Sequence, residues 1–400
     1  MLKVLKIYKE NIFSILLVIT IFVALLFIKL VPFFILLLFL VWVVKFKTFQ
    51  NFSLKWKWIW PFLGYFLVFA IAFFCADNSK EALKVLERHT SFIILPFLIF
   101  CKKWSTSEFF FFGKFYIKIV LLISIISLIY LGYFFLTHVD FVNTMDDTYL
   151  QWKLPHLLGF HPTYFGLNIV IANIILLTSL NNSNNIFKEI TFYFAIFLSF
   201  YLVYLSPRTP IMCQLIVWGW FIFNRIISNE TKIKVNKIFF LIVPLLIIVF
   251  LSFTSEYLID KLIKSVSDKR FLLWRPALSI IKENYFLMGE GLCNGQIQIT
   301  NYISEKNLTQ FKIADLHNQY LMNLTDIGLF GVLAIFMMLF RPLIYLKNNA
   351  LYLFSIIFFI SMFTESILFV IKGIITFIIM SSFFILKASL PYSEENKYNS

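Results

Sequence analysis

Residues 11–30 read NIFSILLVITIFVALLFIKL, an apolar run with a single lysine near its end. About 20 apolar residues in a helix cross the roughly 30 Å hydrocarbon core of a bilayer. Comparable runs follow at 59–76 and 238–253. The whole chain is 60% hydrophobic and 14% charged, with a mean hydropathy of +0.85, far from the average of soluble proteins. These runs predict an all-α, polytopic integral membrane bundle, forming a single membrane domain over 1–400.

The apolar segments predict about twelve transmembrane helices. They lie near 11–30, 31–45, 58–76, 89–101, 115–137, 161–180, 189–206, 210–226, 238–254, 323–346, 351–369 and 372–388. The first two are nearly continuous and the fourth is short, so one span fewer or one more is the alternative. The lysine-rich start followed by a long apolar run is typical of a retained signal anchor rather than a cleaved signal peptide.

The basic residues show which side of the membrane each connection faces. The formal charge is +14, and lysine and arginine cluster in alternate connections, at 3–9, 45–57, 102–103, 225–237 and 341–347. This alternation is the positive-inside pattern. It predicts a multi-pass protein of the inner (cytoplasmic) membrane with both termini in the cytoplasm. Because the charge serves topology and contact with anionic lipid, we expect the lipid bilayer as a partner and no nucleic acid.

One connection is too long to be a simple link between helices. On this topology residues 255–322 form a large outer, periplasmic loop between the ninth and tenth spans. Loops of that length are usually functional or disordered. The apolar spacing from Phe271 to Ile281 predicts an amphipathic helix, which either lies on the membrane surface or caps the bundle. We expect this loop to carry part of an active site.

Three arginines on the outer side are candidates for binding a substrate phosphate. Arg208 stands between two prolines at a corner of two spans, where a guanidinium needs an aqueous cavity or an anion. Arg270 lies in the long loop, and Arg88 in the first outer connection. Arginine offers a planar fork of donors that suits phosphate oxygens. The alternatives are an arginine that reaches the lipid headgroups for Arg208 and a solvated surface charge for Arg270.

His317 is the candidate for proton transfer. With an ordinary pKa near 6.5, a histidine can take a proton from a sugar hydroxyl at neutral pH. Asp315 and Asn318 are close enough in sequence to orient it. The alternative is a hydrogen-bonded side chain at the membrane interface. Glu365, a carboxylate near the outer end of the eleventh span, needs a cationic partner such as Lys372 or one of the arginines.

Two pairs of glycines and one pair of aspartates complete the candidates. Gly289 and Gly291 lack the Lys-Ser or Lys-Thr of a nucleotide-phosphate loop, so a tight turn is the simpler interpretation. Gly328 with Gly331 would let a neighbouring helix approach the tenth span. Asp146–Asp147 has no histidine or further carboxylate nearby, and the four cysteines lack metal-ligand spacing. We expect no metal and no cofactor.

The order of these features resembles the O-antigen ligase and O-antigen polymerase superfamily of the bacterial envelope. The similarity covers most of the chain and is strongest over 206–345. The residues that carry it are Ser206, Pro207, Arg208, Arg270, Trp274, Ala277, Asn284, Gly289, Gly291, His317, Asn318, Tyr320, Leu321, Gly328, Gly331, Thr364, Glu365, Ser366 and the stretch 81–96.

The resemblance implies a metal-independent, inverting glycosyltransferase whose donor is a glycan linked to undecaprenyl diphosphate. In the ligase branch the acceptor is the lipid A core, and in the polymerase branch it is another lipid-linked repeat unit. It implies that Arg208 and Arg270 bind the donor diphosphate and that His317 is the general base or positions the acceptor. The sequence favours the ligase, with the polymerase as the alternative. Two other classes stay open, a transporter or flippase of an anionic lipid or solute and a non-catalytic assembly scaffold.

Overall fold

The computed structural model describes residues 11–44, 55–137, 159–180, 189–205, 207–227, 270–282, 286–306 and 315–390. In these residues every regular element is a helix, which confirms the all-α prediction. The α-helices are α1 (Ile12–Leu26), α2 (Val31–Val44), α3 (Trp56–Phe73), α4 (Ser79–His89), α5 (Ser91–Phe100), α6 (Thr106–Thr137), α7 (Pro162–Ser179), α8 (Ile190–Leu205), α9 (Arg208–Ile227), α10 (Arg270–Ile280), α11 (Asn294–Glu305), α12 (Gln319–Tyr345), α13 (Asn349–Ser361) and α14 (Ile371–Ala388).

Among the described helices, five are long and apolar enough to cross a membrane: α3, α6 over Thr106–Phe134, α7, α12 and α14. Four further helices are apolar but shorter, namely α1, α8, α13 and α2. The 3-10 turn Ile28–Leu30 directly precedes α2, and the two together are called the helix Ile28–Val44. Each predicted span that falls on described residues coincides with a helix. The predicted ninth span, 238–254, and the Asp146–Asp147 pair lie outside the described residues. The structure thus supports a membrane protein, and the count of twelve stays a prediction.

The chain divides into two compact units. The first contains residues 1–112 and 269–400, and the second contains 113–268. The first unit therefore brings together the two ends of the sequence. The long predicted loop, as far as it is described, belongs to this first unit together with α12 to α14.

The first unit is built on α3 and α12, which pack along each other, and on α14, which packs on α5 and α1. Phe62 of α3 lies at the centre, with its ring near those of Phe92, Phe100 and Phe377. In lipid the hydrophobic effect gives helices little reason to associate, so close packing of this kind holds them together.

The second unit uses buried hydrogen bonds between its helices. The hydroxyl of Ser199 in α8 accepts from the side-chain amides of Asn173 in α7 and Gln214 in α9, at 3.3 and 3.1 Å. The indole of Trp218 donates to the same oxygen at 2.9 Å. These bonds tie α7, α8 and α9 to one another.

The connection 77–88, which the sequence predicts to be a loop on the outer side, contains the helix α4. Asn78 caps α4 by accepting from the backbone amide of Glu81 at 3.3 Å. Ala82, Val85 and His89 recur every three or four residues and are buried, while the opposite face is exposed. Because α4 extends to His89, the span predicted to begin there begins at Ser91 instead.

α12 is interrupted at Gly328, whose φ of 70° and ψ of −166° are not helical. The loop before α11 fills the interruption. Its amides at Glu290 and Gly291 donate to the carbonyls of Thr325 and Asp326 at 2.8 and 3.1 Å. The amide of Leu329 donates back to the loop at 2.8 Å, to the carbonyl of Phe286. The sequence predicted that a neighbouring helix approaches Gly328, but the loop before α11 makes the close approach there.

Candidate active site

His317 lies in the short turn before α12, and its backbone is unusual. Its φ is +47°, in the left-handed region that few residues other than glycine occupy. Asp315 stabilises this turn, because its Oδ1 accepts from the backbone amide of His317 at 2.8 Å and from the hydroxyl of Ser366 at 2.8 Å. Such a conformation typically costs about 1–3 kcal/mol and is most often found at functional sites.

The imidazole of His317 is paired with Glu365. Its Nδ1 lies 3.2 Å from Oε2 of Glu365 and 3.9 Å from Oδ2 of Asp315. The carboxylate side chain of Glu365 is 10% exposed, whereas that of His317 is 36% exposed. An ionised carboxylate only accepts hydrogen bonds, so it selects the tautomer that carries its proton on Nδ1. In this tautomer Nε2 carries the lone pair, and it is the ring nitrogen that can accept a proton. The sequence predicted a lysine or arginine for Glu365, and His317 was not foreseen as its partner.

Asn318 was expected to orient His317, but in the structure its side chain caps α12. Its side-chain oxygen accepts from the backbone amides of Tyr320 and Leu321 at 3.0 and 3.1 Å, which makes it the N-cap of α12. Asn318, one residue after His317, thereby fixes Gln319 as the first residue of α12.

Gln319 connects the turn of His317 to the segment that carries Glu365. Its backbone amide donates to the carbonyl of Met362 at 2.8 Å, and its side-chain oxygen accepts from the amide of Leu368 at 2.7 Å. Its side-chain nitrogen donates to Asn323 at 2.8 Å, next to Tyr65 of α3. Gln319 was missed from the sequence. The available signal was a pair of amide side chains, Gln319 and Asn323, at the start of an otherwise apolar span.

α10 lies against the other side of the turn. The indole of Trp274 donates to the carbonyl of Leu316 at 2.9 Å. An apolar cluster joins α10 and α11 to the start of α12; its members are Leu273, Ala277, Ile280, Ile299, Ile303, Leu316 and Met322. The predicted amphipathic helix therefore packs on the bundle. Arg270 is the first residue of α10, one helical turn before Trp274.

Gly289 and Gly291 form the predicted tight turn, with φ of +72° and +107°. A Cβ at Gly289 would lie 2.5 Å from backbone atoms of Asp326 and Ile327, and one at Gly291 would collide with the carbonyl of Cys75. These glycines let the loop approach the interruption in α12. Asn284, which contributes to the family resemblance, lies outside the described residues.

Asp326, beside the interruption, is a buried carboxylate that was also missed. It is 3% exposed, and its Oδ2 lies 3.4 Å from the side-chain nitrogen of Gln296. The first turn of α11 lies against this carboxylate, since a Cβ at Gly295 would lie 2.7 Å from its Oδ1. Asp326 thereby joins α12 to the start of α11.

The other two arginines lie on separate elements. Arg208 is the first residue of α9 in the second unit and is half-buried. Arg88 is exposed near the end of α4 in the first unit, where it lines an apolar groove. Within the part of the chain that the structure describes, no three histidine, cysteine or acidic side chains are placed to hold a metal ion.

The sequence matches no protein-family model, and it matches no curated protein. The evidence for function is therefore the geometry of the chain's own residues.

Proposed function

We propose that this protein transfers a glycan from an undecaprenyl-diphosphate-linked donor to an acceptor hydroxyl, at the periplasmic face of the inner membrane. The observation that carries the proposal is the pairing of His317 with Glu365 at 3.2 Å in a turn next to the start of a membrane helix. A partly exposed imidazole with a buried carboxylate behind it is the usual arrangement of a general base.

In the proposed reaction, the acceptor hydroxyl attacks the anomeric carbon of the donor glycan. A carbon–oxygen bond to the acceptor forms as the bond between the anomeric carbon and the diphosphate oxygen breaks. The hydroxyl proton passes to Nε2 of His317, and Glu365 stabilises the resulting imidazolium. Attack on the face opposite the leaving group inverts the anomeric centre, and undecaprenyl diphosphate leaves with the bonding electron pair.

The diphosphate gains negative charge as it leaves, so the site needs fixed cations. We assign this role to Arg270. Arg270 begins the helix whose Trp274 is bonded to the residue before His317. The same role for Arg208, the first residue of α9 in the second unit, stays a prediction from the family resemblance. Cations aimed at the leaving group stabilise the transition state more than the ground state.

The acceptor defines the branch of the proposal. A lipid A core acceptor corresponds to an O-antigen ligase, which we propose first, and a lipid-linked repeat unit corresponds to a polymerase. If the protein is a ligase, cells without it are expected to keep full-length polymer on its lipid carrier. Loss of a polymerase leaves single repeat units on the acceptor. An electrophoretic profile of the surface glycan distinguishes these results.

The test of the proposal is transfer from a purified lipid-linked donor by the full chain. His317→Ala is expected to lower turnover by about 10²–10⁴-fold, the usual contribution of a general base. Glu365→Gln keeps an acceptor for Nδ1 but removes the charge, so it is expected to lower turnover at least about tenfold. Arg275→Gln, an exposed charge on the same helix as Arg270, is the matched control and is expected to keep full activity. Unchanged transfer in His317→Ala would refute the proposal.

One observation favours a second candidate function, transport of an anionic lipid or solute. Asp326 is a buried carboxylate at an interruption of a membrane helix, and transporters often bind their substrates or coupling ions at such places. The first turn of α11 and the loop at Glu290 and Gly291 already occupy this interruption, which favours a structural role. Transport into vesicles that is abolished by Asp326→Asn and unaffected by His317→Ala would support the second candidate.

A further inference from the structure

An apolar groove in the first unit lies apart from the turn of His317. It has a volume of about 760 Å³, within the usual range of ligand sites. Its walls are α4, α5 and the helix Ile28–Val44, and Ile371 lies at its end.

The apolar walls run along two helices. On the helix Ile28–Val44 the lining residues are spaced by three or four and form one face, consisting of Ile28, Val31, Pro32, Ile35, Leu36 and Phe39. On α5 the corresponding residues are Ile93, Ile94, Phe97 and Leu98. Leu36, Phe39 and Ile94 keep 54%, 44% and 37% of their surface exposed, so the groove opens sideways to the lipid.

One end of the groove is charged. Lys84 and Arg88 are four residues apart on α4 and therefore share a face, and both line the groove. Glu87 also lines it, so the end carries two cations and one anion. The excess of positive charge beside an apolar trough complements a molecule with an apolar chain and an anionic head.

The length of the groove identifies the kind of chain. From Ile28 to Phe39 a helix rises by roughly 16 Å, about half of the 30 Å hydrocarbon core. That is the depth of one leaflet, which an acyl chain fills, whereas a polyprenyl chain is far longer. We propose that this groove is a binding site for an anionic phospholipid, with an acyl chain along α5 and the helix Ile28–Val44 and its phosphate between Lys84 and Arg88.

In this site Arg88 binds a phospholipid phosphate. The sequence had made it a candidate for binding the diphosphate of the glycan donor. The inference does not depend on the proposed transferase activity, since it is measured by binding alone.

The test is lipid retention by the purified full chain, counted by native mass spectrometry. Phosphatidylglycerol is compared with phosphatidylcholine of the same acyl chains and with undecaprenyl phosphate. The wild type is expected to retain one phosphatidylglycerol with at least about fivefold preference over phosphatidylcholine, the scale of attraction by one basic side chain near a membrane. Arg88→Gln is expected to remove that preference, and Arg88→Lys to keep most of it.

Matched controls separate charge from packing. Lys80→Gln removes an exposed charge from α4 that does not line the groove, and it is expected to leave the preference unchanged. Ile94→Trp fills the groove and is expected to reduce retention of both phospholipids, while Leu83→Trp, on the exposed part of α4, is not. Equal retention of the two phospholipids by the wild type, or equal effects of Arg88→Gln and Lys80→Gln, would overturn the inference. Displacement of phosphatidylglycerol by undecaprenyl phosphate would also overturn the inference, and it would support binding of the glycan donor by Arg88.

Discussion

At the scale of single residues, two histidines of the first unit have opposite surroundings. His317 is partly exposed and lies beside two carboxylates. His89 is fully buried, and its ring stacks on Phe69 with 3.8 Å between the ring centroids. Burial, with a smaller contribution from the neighbouring Arg88, lowers the pKa of His89 from 6.5 to about 4. His317 is therefore accessible from outside the fold, whereas His89 is suited to remain neutral.

The lowered pKa of His89 predicts a loss of stability in acid. Below pH 6.5 the unfolded chain binds a proton at this residue that the folded protein resists until about pH 4. The contribution of His89 to the free energy of unfolding is therefore fully present above pH 6.5. It falls by a few kcal/mol as the pH drops toward 4. His89→Phe keeps a ring that can stack and removes the titration, so thermal unfolding between pH 7 and 4.5 should shift less in the variant than in the wild type. Parallel shifts would show that His89 does not contribute.

At the scale of elements, the interruption of α12 and the loop before α11 form one structure. The loop supplies the amides that the interrupted helix lacks, and its glycines allow the approach. The interruption lies about two and a half helical turns beyond Gln319, which links the turn of His317 to the segment of Glu365. The geometry of the candidate site thus depends on a backbone feature outside it.

Gly328→Ala tests this dependence. At φ +70° and ψ −166° a side chain is strained, and a Cβ would also collide with the carbonyl of Leu287. We expect the variant to lose at least about 2 kcal/mol of stability, together with hydrogen-exchange protection of the loop at Glu290 and Gly291. Gly64→Ala is the control, because a Cβ there meets no atom within 4 Å and the residue is helical. It should leave stability unchanged or raise it by up to about 1 kcal/mol. Equal stability of the two variants would contradict the role given to the interruption.

For the molecule as a whole, the positive-inside pattern predicts that α4 lies on the periplasmic side of the membrane and the connection from α12 to α13 on the cytoplasmic side. Lys80 on α4 and Lys347 in that connection are both exposed, so each can be replaced by cysteine after the exposed Cys75 is changed to serine. A membrane-impermeant maleimide added to spheroplasts is expected to label Lys80→Cys, and to label Lys347→Cys only after permeabilisation. The reverse labelling pattern would show the opposite topology, with the candidate site on the cytoplasmic side of the membrane.

The fold class could be predicted because the physical constraint is local. A backbone in lipid must satisfy its own hydrogen bonds, so an apolar run of sufficient length becomes a helix wherever it occurs. The predicted spans that fall on described residues coincide with helices for this reason. α4 was missed as a helix because it is polar on one face and lies between two spans, where length and hydropathy carry no signal.

The candidate site could be predicted only in part. His317 and Glu365 were identified from their residue types and Trp274 from the family resemblance, and the structure brings Trp274 and Glu365 to the turn of His317. Their pairing could not be foreseen, because Glu365 lies 48 residues beyond His317 and the link through Gln319 exists only when α12 is packed on the segment between α13 and α14.

The apolar segments are enough to identify a helical membrane protein and to locate most of its helices, because backbone hydrogen bonding in lipid depends on each segment alone. The pairing of His317 with Glu365, the burial of His89, the interruption of α12 and the walls of the groove are known only from the folded structure. Those features arise from contacts between segments distant in the chain, and hydropathy along the sequence contains no record of them.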